Sequence, residues 1–171
     1  IILISIAGFE PIKNRFIVFF EGFFGRLVIF KDALKVIVDF PFLGIGLGNF
    51  RYIFTMYKEY TPFSLYYEHL HNDHLQLIIE VGLIGSFFYF YFLFRIFKNI
   101  FLNFGRRHDP FVKGISLGGL CGLIGVFLHS FVEYNFHIPA TSFLFWFILG
   151  IVYKCIHTHF NYYPKDERKK I

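Results

Sequence analysis

Apolar and polar positions divide the chain into a mixed first half and three long apolar runs. The runs are "GLIGSFFYFYFLFRIFKNIF" with the preceding Val81, "GISLGGLCGLIGVFLHSF" and "IPATSFLFWFILGIVYKCI". At 1.5 Å rise per residue a helix needs about 20 residues to cross a hydrocarbon core about 30 Å thick, with shorter spans tolerated. Spanning helices are therefore predicted over 81–104, 114–131 and 138–156. Arg95 and Lys98 lie near the far end of the first and Lys154 near the end of the third, where long side chains reach the headgroups. In the second, Gly114, Gly118 and Gly122 fall four apart, which predicts a face for close approach by another helix.

The first half reads differently. Residues 1–8, within "IILISIAGF", are apolar but too few to span, and are expected to be the end of a truncated transmembrane helix; they lack the basic region and cleavage site of a signal peptide. Leu27, Phe30, Leu34 and Ile37 recur at helical spacing with Lys31, Asp32 and Lys35 off that stripe, which predicts an amphipathic helix at the membrane surface. Pro41 should end it near Phe40. "PFLGIGLGNF" then supplies three alternate glycines for a turn with positive φ, and Asn49 is expected to cap the aromatic helix that follows. The glycine spacing is not that of a dinucleotide loop. Asp73 followed by Gln76 predicts a capped helix start.

Composition points to the same solvent. The chain is 56% hydrophobic and 23% aromatic, with a mean hydropathy of +0.53, above the ~45–50% apolar content of soluble domains. The fold class expected is an all-α integral membrane protein, a multi-pass helical bundle. The net charge of +5 does not form a stripe interleaved with aromatics, so no nucleic-acid partner is expected. Its distribution instead sets topology. The loop "NFGRRHDPFVK" and the tail 161–171 are basic, whereas "VEYNFHIP" has no Lys or Arg. The positive-inside rule puts the first two in the cytoplasm. Residues 9–75 are then expected to form a large loop on the opposite face, which in a bacterium is the periplasmic side, ahead of the membrane region 76–160. The seven Lys and Arg of that loop do not overturn this, because long loops translocate largely regardless of charge. Cys121 and Cys155, both in apolar runs, offer neither a disulfide framework nor a metal spacing.

The chemistry concentrates in "EHLHNDHLQLIIEVGLIGS", Glu68 to Ser86. His71 stands two residues before the predicted helix start, where free N–H groups and the helix dipole favour an anion and disfavour an imidazolium. A neutral imidazole suits a base beside a phosphate. One rival reading makes His69, His71 and His74 polar residues at a helix border. Another makes them three zinc ligands, although their spacing matches no zinc family. Glu80, at the outer membrane boundary, and His129, Glu133 and His137, around the second turn, are ionisable residues that either line an outer cavity or meet water.

These residues carry a resemblance. "HNDHLQLIIEVGLIGS" resembles the signature of the O-antigen ligase and O-antigen polymerase superfamily, in which His is followed by Asn, Ser or Gln, nine residues and Gly-x-x-Gly; here these are His71, Asn72, Gly82 and Gly85. "GRLVIFKDALKVIVDFPFLGIGLGNF" and "HSFVEYNFHIPATSFLFWFILGI" are similar to its upstream and closing blocks. The resemblance implies a fold like the lipid-linked-sugar transferases (glycosyltransferase C-like), no cofactor and no obligatory metal. It also implies transfer of glycan from undecaprenyl pyrophosphate at the periplasmic face of the bacterial inner membrane. The acceptor would be a glycolipid, polysaccharide or protein hydroxyl. By position, the resemblance gives His71 as candidate base and Arg26 as candidate pyrophosphate contact, a role that suits a planar guanidinium. Arg51, Asn72, His74, Glu80, His129 and Glu133 complete the expected substrate-binding set. A rival class is a non-enzymatic bundle such as a transporter or channel component, which would favour broken helices with ionisable groups at mid-membrane.

Overall fold

The computed structural model describes residues 10–157, so the expected truncated span at 1–8 and the basic tail 161–171 lie outside the described residues. Among the described residues the structure is helical without strands. The elements are α1 (Glu10–Asp39), α2 (Phe50–Ile53) with a 3-10 turn (Phe54–Tyr57), α3 (Asp73–Phe104), α4 (Pro110–His129), a 3-10 turn (Asn135–His137) and α5 (Pro139–His157). The helices α3, α4 and α5 are each long and apolar enough to cross a membrane. The described residues form two compact units, one of 10–87 with Ser130–Tyr134, the other of Phe88–His129 and 135–157.

In the first unit the buried face of α1 carries Ile29, Ala33 and Val36, which pack with Phe50, Phe54, Leu70 and Ile79. This buried face was not read from the sequence. Leu27 and Leu34 are 44% and 50% exposed, while Asp32 is completely buried. Asp32 is tolerated there because its carboxylate accepts hydrogen bonds from the backbone N–H groups of Tyr60 (3.1 Å) and Thr61 (2.8 Å), so the charge is solvated by amides. Lys35 donates to Asp32 and pairs with Glu59, and Tyr57 donates to Asp39 at 2.7 Å. These bonds tie the segment 57–61 to α1, which ends at Asp39, one residue before the position Pro41 predicts.

The glycine loop has a specific purpose. Helix α3 is broken at Gly82, whose φ of 70° and ψ of −178° are non-helical. A break there orphans the carbonyls of Ile79 and Glu80 and the N–H groups of Leu83 and Ile84, which would otherwise bond one another. The loop takes all four. Ile45 and Gly46 donate to the Ile79 and Glu80 carbonyls (3.0 and 2.8 Å), and Leu83 and Ile84 donate to Pro41 and Phe42 (2.8 and 3.3 Å). At Gly44 (φ 67°) a Cβ would stand 2.5 Å from both helix carbonyls, so only glycine lets the loop backbone approach. Asn49 occupies the helix-start position of α2, but its side chain donates back to the Ile45 carbonyl at 2.9 Å and does not cap the helix as expected.

In the second unit, Leu93 and Ile100 of α3, Leu120 and Leu123 of α4, and Phe145, Leu149, Val152 and Ile156 of α5 form the core. Contrary to the glycine spacing read from sequence, Gly114, Gly118 and Gly122 face open space. The close contact is at Gly119, where a Cβ would collide with Val152. Asp109 caps α4 through the Phe111 N–H at 2.9 Å, and Arg107 satisfies the Cys155 and Ile156 carbonyls at the end of α5 (2.6 and 2.8 Å).

Candidate functional site

Three separate stretches of the first unit converge on one carboxylate. Arg26, midway along α1, donates from Nη2 to Oε1 of Glu133 at 2.9 Å and from Nη1 to the Val132 carbonyl at 2.9 Å. The other oxygen of Glu133 lies 3.2 Å from Nδ1 of His71. His71 is held at φ 55°, a left-handed conformation that costs a non-glycine residue of order 1–3 kcal/mol and is characteristic of functional sites. Its ring also meets the edge of Tyr134, at 4.9 Å between centroids, while His69 stacks on the same ring at 5.0 Å.

Local sequence chemistry explains the placement of His71. Helix α3 starts at Asp73, as expected, but its cap is one residue earlier: Oδ1 of Asn72 accepts the Leu75 N–H at 2.9 Å, and the Asn72 carbonyl accepts the Gln76 N–H. Gln76 does reach back, to the Leu70 N–H at 3.0 Å. Its amide nitrogen donates to Glu80 at 3.0 Å and lies 3.4 Å from Nδ1 of His69. This buried amide thus holds His69 and Leu70, immediately before His71. The Asp73 N–H donates to the Ser130 carbonyl at 2.9 Å, which ties the start of α3 to the segment carrying Glu133. Two N-terminal donors of the helix are therefore occupied by the protein itself. The exposed cationic group of the site is Arg26, whose side chain is 36% exposed.

Burial is the largest single influence on Glu133 and would raise its carboxyl. The hydrogen bond to His71 and the charge of Arg26 outweigh it, holding the carboxyl below its ordinary value of 4.5. A depressed carboxyl stays ionised down through the ordinary carboxylate range. The Arg26–Glu133–His71 arrangement is thus present at neutral pH and is lost only as pH falls through the depressed value.

The other expected site residues fall elsewhere. Asn72 is the helix cap. His74 is buried with its ring 4.3 Å from that of Phe131. Glu80 is buried on Gln76. Arg51 is exposed over the Tyr52 ring and is not joined to Arg26 or His71 by a hydrogen bond or ion pair. His129 belongs to the second unit, with Nδ1 2.9 Å from the Asn135 amide. His69 and His71 share the Tyr134 ring whereas His74 meets Phe131, and among the described residues no group of three or more His, Cys, Asp and Glu side chains is arranged to hold a metal ion.

Sequence reasoning missed Asp32, although its place between Ile29, Ala33 and Val36 on one helical face was a readable signal. Burial would raise its carboxyl, but the donors turned on it, from Thr61 first and then from the backbone of Glu59 and Tyr60, hold it below its usual 3.8. Its contribution to stability is therefore complete above the ordinary carboxylate range and disappears as pH falls through the depressed value. In thermal unfolding of the full-length protein, Asp32→Asn should lower stability at pH 7 by about 1–3 kcal/mol and flatten the loss of stability below pH ~4. An unchanged acid limb in the variant would show that Asp32 is not the group responsible.

The geometry defines a class: a helical protein with three helices long and apolar enough to cross a membrane, in which an imidazole and a guanidinium share one carboxylate. The O-antigen ligase family profile matches residues 5–90, half of the chain, including Arg26, His71 and the Gly82 break. The chain belongs to the O-antigen ligase family. No curated protein and no solved structure matches it.

Proposed function

We propose that this protein is a membrane glycosyltransferase of the O-antigen ligase or polymerase type. It moves glycan from undecaprenyl pyrophosphate to an acceptor hydroxyl at the periplasmic face of the inner membrane. The observation that carries this reading is the single carboxylate shared by Arg26 and His71. A His71 proton on Nδ1 is drawn to Glu133, which leaves the Nε2 lone pair as a base. The acceptor hydroxyl gives its proton to Nε2 as its oxygen bonds to the anomeric carbon. The bond from that carbon to the phosphate oxygen breaks, and the lipid diphosphate leaves with the electron pair, so the anomeric centre inverts. Glu133 stabilises the imidazolium that results, as the carboxylate of a catalytic triad does. Arg26 uses one N–H of each terminal nitrogen on Glu133 and Val132, which leaves further N–H donors for the departing diphosphate.

The assignment to the periplasmic face rests on the charge of the loops, since Arg106, Arg107 and Lys113 follow α3 whereas the segment that carries Glu133 has no Lys or Arg. Full-length protein with His71→Ala or Arg26→Ala, assayed for glycan transfer from the lipid-linked donor at equal protein levels, tests the reading. Loss of the base should lower turnover by about 10²–10⁴-fold. Normal transfer by both variants would overturn it.

A further inference from the structure

A cavity of about 260 Å³ opens beside His71, lined by Tyr66, Tyr67, Glu68, His69, His71 and Tyr134. It is slightly smaller than the ~300–1,000 Å³ of most small-molecule pockets, enough for one ring and too small for a chain. Three phenols, two imidazoles and a carboxylate make its wall, and none of the six residues is a lysine or arginine. A diphosphate placed there would meet the Glu68 carboxylate with no Lys or Arg in the wall to offset it. A polyhydroxylated ring, by contrast, finds hydrogen-bond partners on the phenols and carboxylate and flat apolar faces against the aromatic rings.

The wall is also held firmly. The buried Lys58 donates to the Leu65 carbonyl, Asp32 holds the 60–61 amides, and Tyr67 packs against the apolar cluster of the first unit. On the far side Tyr134 is fixed between the rings of His69 and His71. Tyr66, 60% exposed, and Glu68 stand open to an incoming ligand.

We propose that this cavity is the acceptor subsite, and that it takes a neutral or amino sugar ring, with Glu68 and Tyr66 as the residues that set acceptor specificity. The assignment rests on the transfer reaction proposed above and adds to it the identity of the acceptor and the side of His71 on which it binds. Negative charge is thereby divided: the diphosphate belongs with Arg26 and the uncharged hydroxyl-bearing ring with Glu68. A ring that carries its own carboxylate is repelled by Glu68, and a peptide hydroxyl leaves the polar wall unpaired.

The test uses full-length protein in liposomes with a lipid-diphosphate-linked glycan as donor. The acceptor probes are methyl glucoside, methyl glucosaminide, methyl glucuronide and a serine- and threonine-containing peptide. Wild-type protein should prefer the first two. Glu68→Gln and Tyr66→Ala should each raise the acceptor KM for methyl glucoside by about ten-fold and leave the donor KM within about two-fold. Glu68→Gln should also narrow the gap between methyl glucuronide and methyl glucoside. An acceptor KM unmoved in both variants, a rise in donor KM instead, or preference of wild-type protein for the peptide would each overturn the assignment. These outcomes are distinct from failure of the underlying reaction, which His71→Ala reports separately.

Discussion

Converting Glu133 to glutamine is expected to lower turnover in glycan transfer by about 10²–10⁴-fold, with little change in the KM of either substrate. The replacement has the same shape but only one acceptor oxygen. Arg26, a donor with no capacity to accept, lies 2.9 Å from Oε1 and claims that oxygen. The new NH2 group then faces Nδ1 of His71, which must accept from it. The ring proton moves to Nε2, the atom that should receive the acceptor hydroxyl's proton. The imidazole is thus present and well placed but in the wrong tautomer. Glu133→Asp, which keeps two oxygens on a shorter stem, should lose less than Glu133→Gln, a ranking that mere disturbance of packing would not produce. A glutamine variant within ten-fold of wild type would show that Glu133 does not orient the base.

The parts of this site differ in how far the sequence reveals them. The spans are legible because length and uniform hydrophobicity are local properties, and α3, α4 and α5 lie close to the predicted 81–104, 114–131 and 138–156. The start of α3 is legible to within one residue, since Asn72 and Asp73 are both good caps and only geometry chooses between them. Arg26 and His71 stand out as residue types, yet their common partner does not: Glu133 is 107 residues from Arg26 and 62 from His71, and no periodicity encodes such a pairing. The buried face of α1 was not legible for a physical reason. Where lipid is the solvent, Leu27 and Leu34 gain nothing by turning inward, so an apolar stripe does not identify the core. The buried face is marked instead by the small Ala33 and by Asp32 with its amide donors. The same ambiguity hides Gly119 among the glycines of α4, because contact with Val152 depends on which way the helix is turned.

The second large effect is expected at Gly82. Alanine there should destabilise the full-length protein by on the order of 3 kcal/mol or more, read as a loss of thermal stability and of monodisperse material after extraction. Two penalties coincide. The backbone lies at φ 70° and ψ −178°, a region populated essentially by glycine, and a Cβ would overlap the Phe42 carbonyl, which is backbone and has no rotamer to give. The variant can relieve this only by straightening α3 or expelling the loop. Either response abandons the four hydrogen bonds between 41–46 and 79–84. Gly118→Ala, in a helix with nothing within 4 Å of its Cβ, should by contrast be neutral or gain up to about 1 kcal/mol. The break also has a consequence for chemistry. It allows the turn of α3 that carries Gln76 and Glu80 to be clamped by the loop, and Gln76 holds the Leu70 N–H immediately before His71. Partial loss of that clamp should therefore reduce turnover more steeply than it reduces the amount of folded protein. Wild-type stability in Gly82→Ala would mean that α3 runs unbroken through this position and that the loop is dispensable.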